Sequence, residues 1–363
     1  MTTVLKELSK KDYEFFLSAS TTKNYMQSIE MYDRYKKNGR EAYLLGLCEG
    51  EKIIIAGLVS VYYQRLGKKI FTMSRGPIFE PNQNLKKIFK FINEAKSFIK
   101  SKGGICLQIS PYVLASELPK NFKSEAKKND LKYLGEYEQV KWIYTINFSD
   151  IDKLPQKKVP ENKRNYDLSK INLDEKSEDV LFKQLHNNHR RAIKSAIKKY
   201  NLSLRELKID EYGKLYEIIK ESGDTQGFTP RQTSFYKEMK ENFKEKVMAV
   251  VAELPDKTPI AVGFFISYGS DLIYLSGGMK RDYKKYGAPH LIQWTMIKYA
   301  YANGFKKYNF WGTNPDPKNG VFRFKQGFSG KTEEFIGTFI TPITFLGKIY
   351  IKKIKTAEHR NLQ

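Results

Sequence analysis

The sequence predicts an α/β protein with mixed sheets, made by duplication of one β-meander-plus-helix unit. Three observations carry this. The order strand, turn, strand, turn, strand, helix, strand occurs once in each half of the chain. The hexapeptide IAGLVS at Ile55–Ser60 recurs as IAVGFF at Ile260–Phe265, at the same place in that order. The 363 residues are 40% apolar and 14% aromatic, which supports two packed cores.

Turn residues punctuate each step. In the first half, strand Ala42–Cys48 passes through Glu49-Gly50-Glu51 into strand Lys52–Gln64. Leu66-Gly67-Lys68 then turns the chain into strand Lys69–Ser74, and helix Leu85–Lys100 precedes strand Gly104–Ser110. In the second half, strand Lys246–Leu254 turns at Pro255-Asp256-Lys257 into strand Ile260–Tyr268. Gly269-Ser270 leads to strand Leu272–Ser276, followed by helix Gly287–Asn303 and strand Lys307–Trp311. Each third strand ends near a glycine, Gly76 or Gly277. Between the halves, the polar stretch Asp152–Asn172 reads as linker and surface loop. A single long helix is predicted over Ser177–Tyr200, with Val180, Leu181, Leu185, Ile193, Ala196 and Ile197 at helical spacing. Its other faces carry Lys183, Arg190, Arg191, Lys194, Lys198 and Lys199, the densest basic helix in the chain.

Lys and Arg number 64 against 40 Asp and Glu, a formal charge of +24. Such a field attracts phosphates or an anionic membrane face, and a lysine-rich solvated surface accounts for the same excess. Cys48 and Cys106, both inside apolar runs, read as buried thiols in a reducing compartment. The N-terminus lacks an uninterrupted apolar segment, and no stretch reaches ~18 apolar residues, so the chain is expected to be cytoplasmic rather than exported or membrane-spanning.

Several chemistries lack their residues. There is no HExxH and no cysteine pair at metal spacing, and His186, His189, His290 and His359 form no ligand pattern. No GxSxG elbow is present. KQGFSGKT at Lys325–Thr332 resembles a phosphate loop, but Gly327 and Gly330 are too close for that pattern. A meander followed by helix and strand is the architecture of acetyl-CoA-dependent acyltransferases, whose pyrophosphate loop opens the helix with a glycine-rich signature. Here Lys284-Lys285-Tyr286-Gly287-Ala288-Pro289 stands there, and Pro289 has no N–H to give a phosphate.

Five blocks together resemble the FemABX family of tRNA-dependent transferases that build peptidoglycan interpeptide bridges. They are NYMQSIEMYDRYKK at Asn24–Lys37, SRGPIFEP at Ser74–Pro81, NNHRRAIKSAIKKYNL at Asn187–Leu202, GFTPRQTSFY at Gly227–Tyr236, and Tyr286–Phe339 with its FRFKQGF core. The resemblance spans nearly the whole chain. It implies two duplicated acetyltransferase-like (GNAT-type) domains, and the lack of a heptad run places the chain with the armless branch. In that branch the chain's end completes the first domain. Domain one is therefore expected at 1–153 plus 337–363, for acceptor binding, and domain two at 154–336, for catalysis and the tRNA end.

Carried over by position, Lys36 and Arg231 match cations that bind phosphates of the muramyl-peptide precursor, and Tyr274 lies near a matching aromatic position. Arginine suits bidentate phosphate contacts and lysine a point-charge contact. Phe324 and Lys325 match a pair linked to catalysis and to the tRNA end, although a helix or strand here can equally place Lys325 on a solvated face. Relatives often carry Asp-Pro where Ser110-Pro111-Tyr112 stands, so a carboxylate base is missing there, and Tyr112 is taken as a substrate contact.

The implied reaction is aminolysis of the aminoacyl ester by the amine of the third stem-peptide residue, with UDP-MurNAc-pentapeptide or lipid II as acceptor. It requires no cofactor or metal. Lys325 is the candidate for stabilising the oxyanion, and no residue is assigned as base. The protein is expected to act as a monomer. FLGKIYIKKIK at Phe345–Lys355 suits either peripheral contact with the inner membrane leaflet or docking as a terminal helix. The alternatives are an immunity protein of the same fold directed against a bacteriolysin, a CoA-dependent N-acyltransferase, or a non-catalytic RNA- or precursor-binding protein.

Overall fold

The computed structural model describes residues 3–64 and 67–361, with residues 355–361 as backbone alone. The chain separates into two compact units, Met1–Lys141 with Glu334–Gln363, and Trp142–Glu333.

In the first unit, β1 (Thr3–Glu7), α1 (Lys10–Ala19) and α2 (Ile29–Lys37) precede the meander β2 (Ala42–Glu49), β3 (Lys52–Tyr63) and β4 (Lys69–Arg75). Then come α3 (Leu85–Ser101), β5 (Gly104–Pro111), α4 (Phe122–Lys128) and β6 (Lys132–Gly135). The expected turn at 66–68 begins outside the described residues. Ser9, Ser28 and Asn84 accept backbone N–H bonds in the first turns of α1, α2 and α3, fixing where each helix starts. The inner face of α3, with Ile88, Phe91, Ile92 and Ile99, packs with Leu45, Val59, Phe71 and Leu107 of the sheet.

The second unit opens with β7 (Trp142–Asn147), α5 (Glu175–Gln184), α6 (Asn187–Lys198), β8 (Ser203–Glu206), α7 (Tyr212–Gln226) and α8 (Thr233–Phe243). It continues through β9 (Val247–Glu253), β10 (Pro259–Tyr268), β11 (Asp271–Met279), α9 (Ala288–Ala302), β12 (Lys307–Gly312), α10 (Gly320–Gln326) and β13 (Lys331–Glu334). β14 (Thr338–Pro342) and α11 (Phe345–Asn361) belong to the first unit.

The strand orders show the duplication. One sheet runs β1-β2-β3-β4-β5-β14-β6; the other, read from its far edge, runs β8-β9-β10-β11-β12-β7-β13. Each has seven strands, a parallel pair at its centre (β4 with β5, β11 with β12), and a sixth strand drawn from outside its own meander. IAGLVS and IAVGFF lie on the equivalent strands β3 and β10. Both sheets are mixed, as predicted.

Three expectations change. The unit boundary falls at 141/142 rather than at 153, because Trp142–Asn147 pairs with β12, and at 333/334 rather than at 336. The predicted helix 177–200 is two helices, α5 and α6. Leu185 and His186 are extended there because tertiary bonds replace helical ones: the His186 N–H donates to the Gly327 carbonyl, and the Ser329 hydroxyl to that of Gln184. The stretch 152–172 lies inside the second unit rather than linking the two, and is loop apart from two short 3₁₀ turns at Glu161–Lys163 and Leu168–Lys170. Cys48 and Cys106 are free and buried, and burial pushes the Cys106 thiol up to about 12.

Candidate active site

The two parallel pairs differ. In the first unit β4 and β5 stay paired as far as Arg75 opposite Pro111. In the second, β11 and β12 pair only from Asp271 with Lys307 to Ile273 with Asn309, then part. Beyond that point Tyr274–Met279 are partly exposed, while Leu272 and Ile273 are buried. The separation opens a wedge in the second sheet, with Lys325 on its β12 flank and Tyr274 on its β11 flank.

On the β12 flank the ladder to β7 shifts register between Asn309 and Gly312, with Trp311 at φ +60° in the left-handed region. A bulky residue holds that conformation at a cost of about 1–3 kcal/mol. The Asn309 side-chain oxygen accepts the Trp311 N–H at 2.7 Å, which holds the bend. Bulges take backbone groups out of the ladder. Here Lys325 supplies partners: its Nζ donates to the Phe310 carbonyl at 2.9 Å and to the Gly312 carbonyl.

Lys325 sits on α10, a short helix started by the Asn319 side chain, which accepts the Phe322 N–H at 3.0 Å. Phe322 and Lys325, three residues apart, both face inward, so Lys325 is 4% exposed rather than on a solvated face. The two carbonyls favour its charged form, yet burial dominates. The ammonium's pKa is lowered to about 7. At neutral pH this lysine is therefore poised between donor and acceptor.

Phe324, half-buried, closes an aromatic cluster with His189, His290 and Phe328. His189 Nε2 bonds the Phe324 carbonyl at 2.8 Å, and the His189 and His290 rings meet edge to face at 4.5 Å. Burial lowers both imidazoles, His290 to about 4, so they stay neutral near pH 7. Two of the histidines that form no pattern in the sequence, His189 and His290, thus brace the segment Phe324–Lys325. Their positions lie about a hundred residues apart, and only the packing of α6 and α9 against α10 unites them.

On the β11 flank, the Tyr274 ring packs tilted against Phe265 at 5.3 Å, and its hydroxyl lies over Gly277, where a Cβ would collide with it. Gly278 lets α7 approach, and Ser222 of α7 accepts the Met279 N–H at 2.7 Å. Burial raises the Tyr274 phenol well above its usual range, so it is a neutral donor. Exposed Arg231, just before α8, covers the Phe235 ring at 5.6 Å. The next residue, Tyr236, receives the Ser276 hydroxyl at 3.4 Å. Tyr274 thus lies on β11 itself, packed on Phe265, while Arg231 is linked to that strand only through Phe235 and Tyr236.

Lys36 is exposed in the last turn of α2 in the first unit. Tyr112 packs on Phe335 at 4.6 Å beside the Arg75 guanidinium, which is itself buried over the Phe335 ring. Ser110 is 2% exposed, and its hydroxyl accepts the Arg75 N–H at 3.1 Å. Ser110, where the family resemblance implies a carboxylate, is thus a backbone tie within the closed β4–β5 pair.

At the entry of α9, Gly287 has φ +69°, and a Cβ there would strike the Ala192 carbonyl of α6. α6 therefore covers the helix start that holds a pyrophosphate in acetyl-CoA-dependent enzymes, and Pro289 withholds an N–H. Among the described residues no group of three His, Cys, Asp or Glu is placed to hold a metal ion.

Comparison with known proteins accords with this geometry. The FemAB family matches residues 8–258 and 254–353. Aminoacyltransferase FemA of Staphylococcus epidermidis is 23% identical over 422 aligned positions, covering 96% of this chain and 99% of that protein. Aminoacyltransferase FemB of the same species is 22% identical, covering 93% and 94%. Among solved structures, FemX superposes with a TM-score of 0.73 at 14% identity over 93% of this chain and 97% of that one. A tandem GNAT protein from the clavulanic acid biosynthesis pathway superposes at 0.55 and 8%, over 94% and 99%. These likenesses show the duplicated GNAT-type fold. With the family match spanning most of its length, the chain belongs to the FemAB family.

Proposed function

We propose that this acyltransferase moves an amino acid from aminoacyl-tRNA to the amine of the third stem-peptide residue of a muramyl-pentapeptide precursor. The observation that carries the reading is Lys325, a buried lysine with a pKa near 7 at the edge of the opened β11–β12 wedge. In the reaction the acceptor nitrogen attacks the ester carbonyl. A C–N bond forms, the C–O bond to the terminal ribose breaks, and the amine's proton ends on the released ribose hydroxyl. The ester is already activated, so alignment supplies much of the acceleration. As an ammonium, Lys325 stabilises the tetrahedral oxyanion; near its pKa it can also pass a proton between amine and leaving oxygen. This gives one residue both tasks and removes the need for a carboxylate at position 110.

Phe324 is proposed to meet the tRNA end. Arg231 and Lys36 bind precursor phosphates, and Tyr274 and Tyr112 contact substrate. The work is cytoplasmic, where both substrates occur, with the precursor UDP-linked or lipid-linked. The covered entry of α9 argues against acetyl-CoA as donor. Lys325→Met and Lys325→Arg test the site, since arginine keeps the charge but does not release a proton. Both are expected to lower transfer roughly 10²–10⁴-fold while leaving precursor and tRNA binding within a few-fold of the parent. Full activity of Lys325→Met would refute the assignment. Full activity of Lys325→Arg would leave Lys325 only the electrostatic task.

A further inference from the structure

α11 closes the first unit with one face and presents another of different chemistry. Its inner face is Gly347, Ile351 and Ile354, all buried. Gly347 lies so close to Ile105 that a Cβ would strike that residue's carbonyl, and Ile351 and Ile354 pack with Ile70, Cys106 and Ile340. The docking is therefore specific, and it fixes which way the rest of the helix faces. At ~100° per residue, the arc opposite holds, in order, Lys348, Lys352, Phe345, Ile349, Lys353 and Leu346. Phe345 is 75% exposed, Leu346 46% and Ile349 42%. The three lysines are exposed as well, and residues 345–354 contain no carboxylate.

We propose that this outward face of α11 binds an anionic phospholipid surface. Apolar side chains flanked by lysines on one arc match the chemistry of a bilayer interface. The rings and branched chains enter the acyl boundary, and the lysine stems run outward to headgroup phosphates. A second copy of the chain on this face would bring two sets of three lysines together with no carboxylate between them. An RNA backbone would leave Phe345, Leu346 and Ile349 without a partner. Only the helix is involved, so transfer to a soluble precursor would stand untouched if the lipid surface were refused.

The test is co-sedimentation of the full chain with phosphatidylcholine vesicles, with and without phosphatidylglycerol, at low and high salt. Binding only to vesicles containing phosphatidylglycerol, weakened by salt, is expected. The triple variant Phe345→Ser, Leu346→Ser, Ile349→Ser keeps every charge, and is expected to bind roughly tenfold or more weakly. Lys348→Ala, Lys352→Ala and Lys353→Ala together are expected to lose about fivefold per lysine. All six positions are exposed, so unchanged melting temperatures accompany these losses. Three results would overturn the proposal: equal binding by the parent and the serine variant, which would assign the effect to overall charge; no vesicle binding by the parent; or self-association that the serine variant abolishes while vesicle binding stays absent.

Discussion

Lys325 holds a charge where burial opposes it, and this has a consequence for stability. Its folded pKa is about 7 against an ordinary 10.5, with burial the cause. Between those values the unfolded chain binds the proton that the folded state has shed, so stability rises with pH across that window and is flat with respect to this group below it. The slope attributable to Lys325 reaches at most about 1.4 kcal/mol per pH unit. Denaturant unfolding at several pH values between 7 and 9, on the parent and on Lys325→Met, checks this. The parent is expected to gain stability relative to the variant as pH rises, and parallel curves would show a lysine titrating normally. The identity of this residue was legible in FRFKQGF, but its burial was not. A seven-residue amphipathic helix offers no sequence cue as to which face is covered, and the bulge at Trp311 that supplies the carbonyls is a tertiary feature. Ser110 shows the converse. That a serine stands where the resemblance implies a carboxylate was visible in the sequence, while its bond to the Arg75 N–H was visible only in the fold.

At the scale of elements, the packing of α6 against α10 sets the site. Gly327 closes α10, its carbonyl accepts the His186 N–H between α5 and α6, and a Cβ at Gly327 would run into the His189 ring. Gly327→Ala is therefore expected to destabilise the protein by about 1–3 kcal/mol and to lower activity beyond that loss, because the His189 bond to the Phe324 carbonyl is displaced. Chemical denaturation together with transfer rates measured well below the unfolding midpoint separates the two effects. The meander strands, α3 and α9 were legible to within a few residues because glycine and charged turns bracket apolar runs. The break between α5 and α6 was not, since Leu181, Leu185 and Ile193 keep helical spacing across it while the Gln184 carbonyl and the His186 N–H bond Ser329 and Gly327 at the end of α10. The parting of β11 and β12 was equally hidden. Apolar pattern reports which residues are covered, not how far two strands stay paired.

For the whole molecule, the excess charge of +24 becomes a statement about partners. α6 directs His189 and Ile193 inward and leaves Arg191, Lys194 and Lys198 exposed, so a cationic strip backs the helix that braces Phe324 and Lys325. If tRNA phosphates ride on this strip, log affinity falls linearly with log salt. Arg191→Ala, Lys194→Ala and Lys198→Ala together are then expected to lower that slope by about one for each phosphate no longer neutralised. Fluorescence anisotropy with labelled tRNA across a salt series reads this directly, and an unchanged slope would place the RNA elsewhere. The duplicated architecture was legible from the repeat of order and of IAGLVS against IAVGFF, whereas the sixth strand of each sheet, taken from beyond its own meander, was not. Transfer from aminoacyl-tRNA to a stem peptide is tested most directly by incubating the purified protein with charged total tRNA and muramyl-pentapeptide precursors and measuring product masses. A precursor heavier by one or more amino-acid residues is expected, formed by the parent and not by Lys325→Met. Precursor masses unchanged with every aminoacyl-tRNA would contradict the proposed transfer.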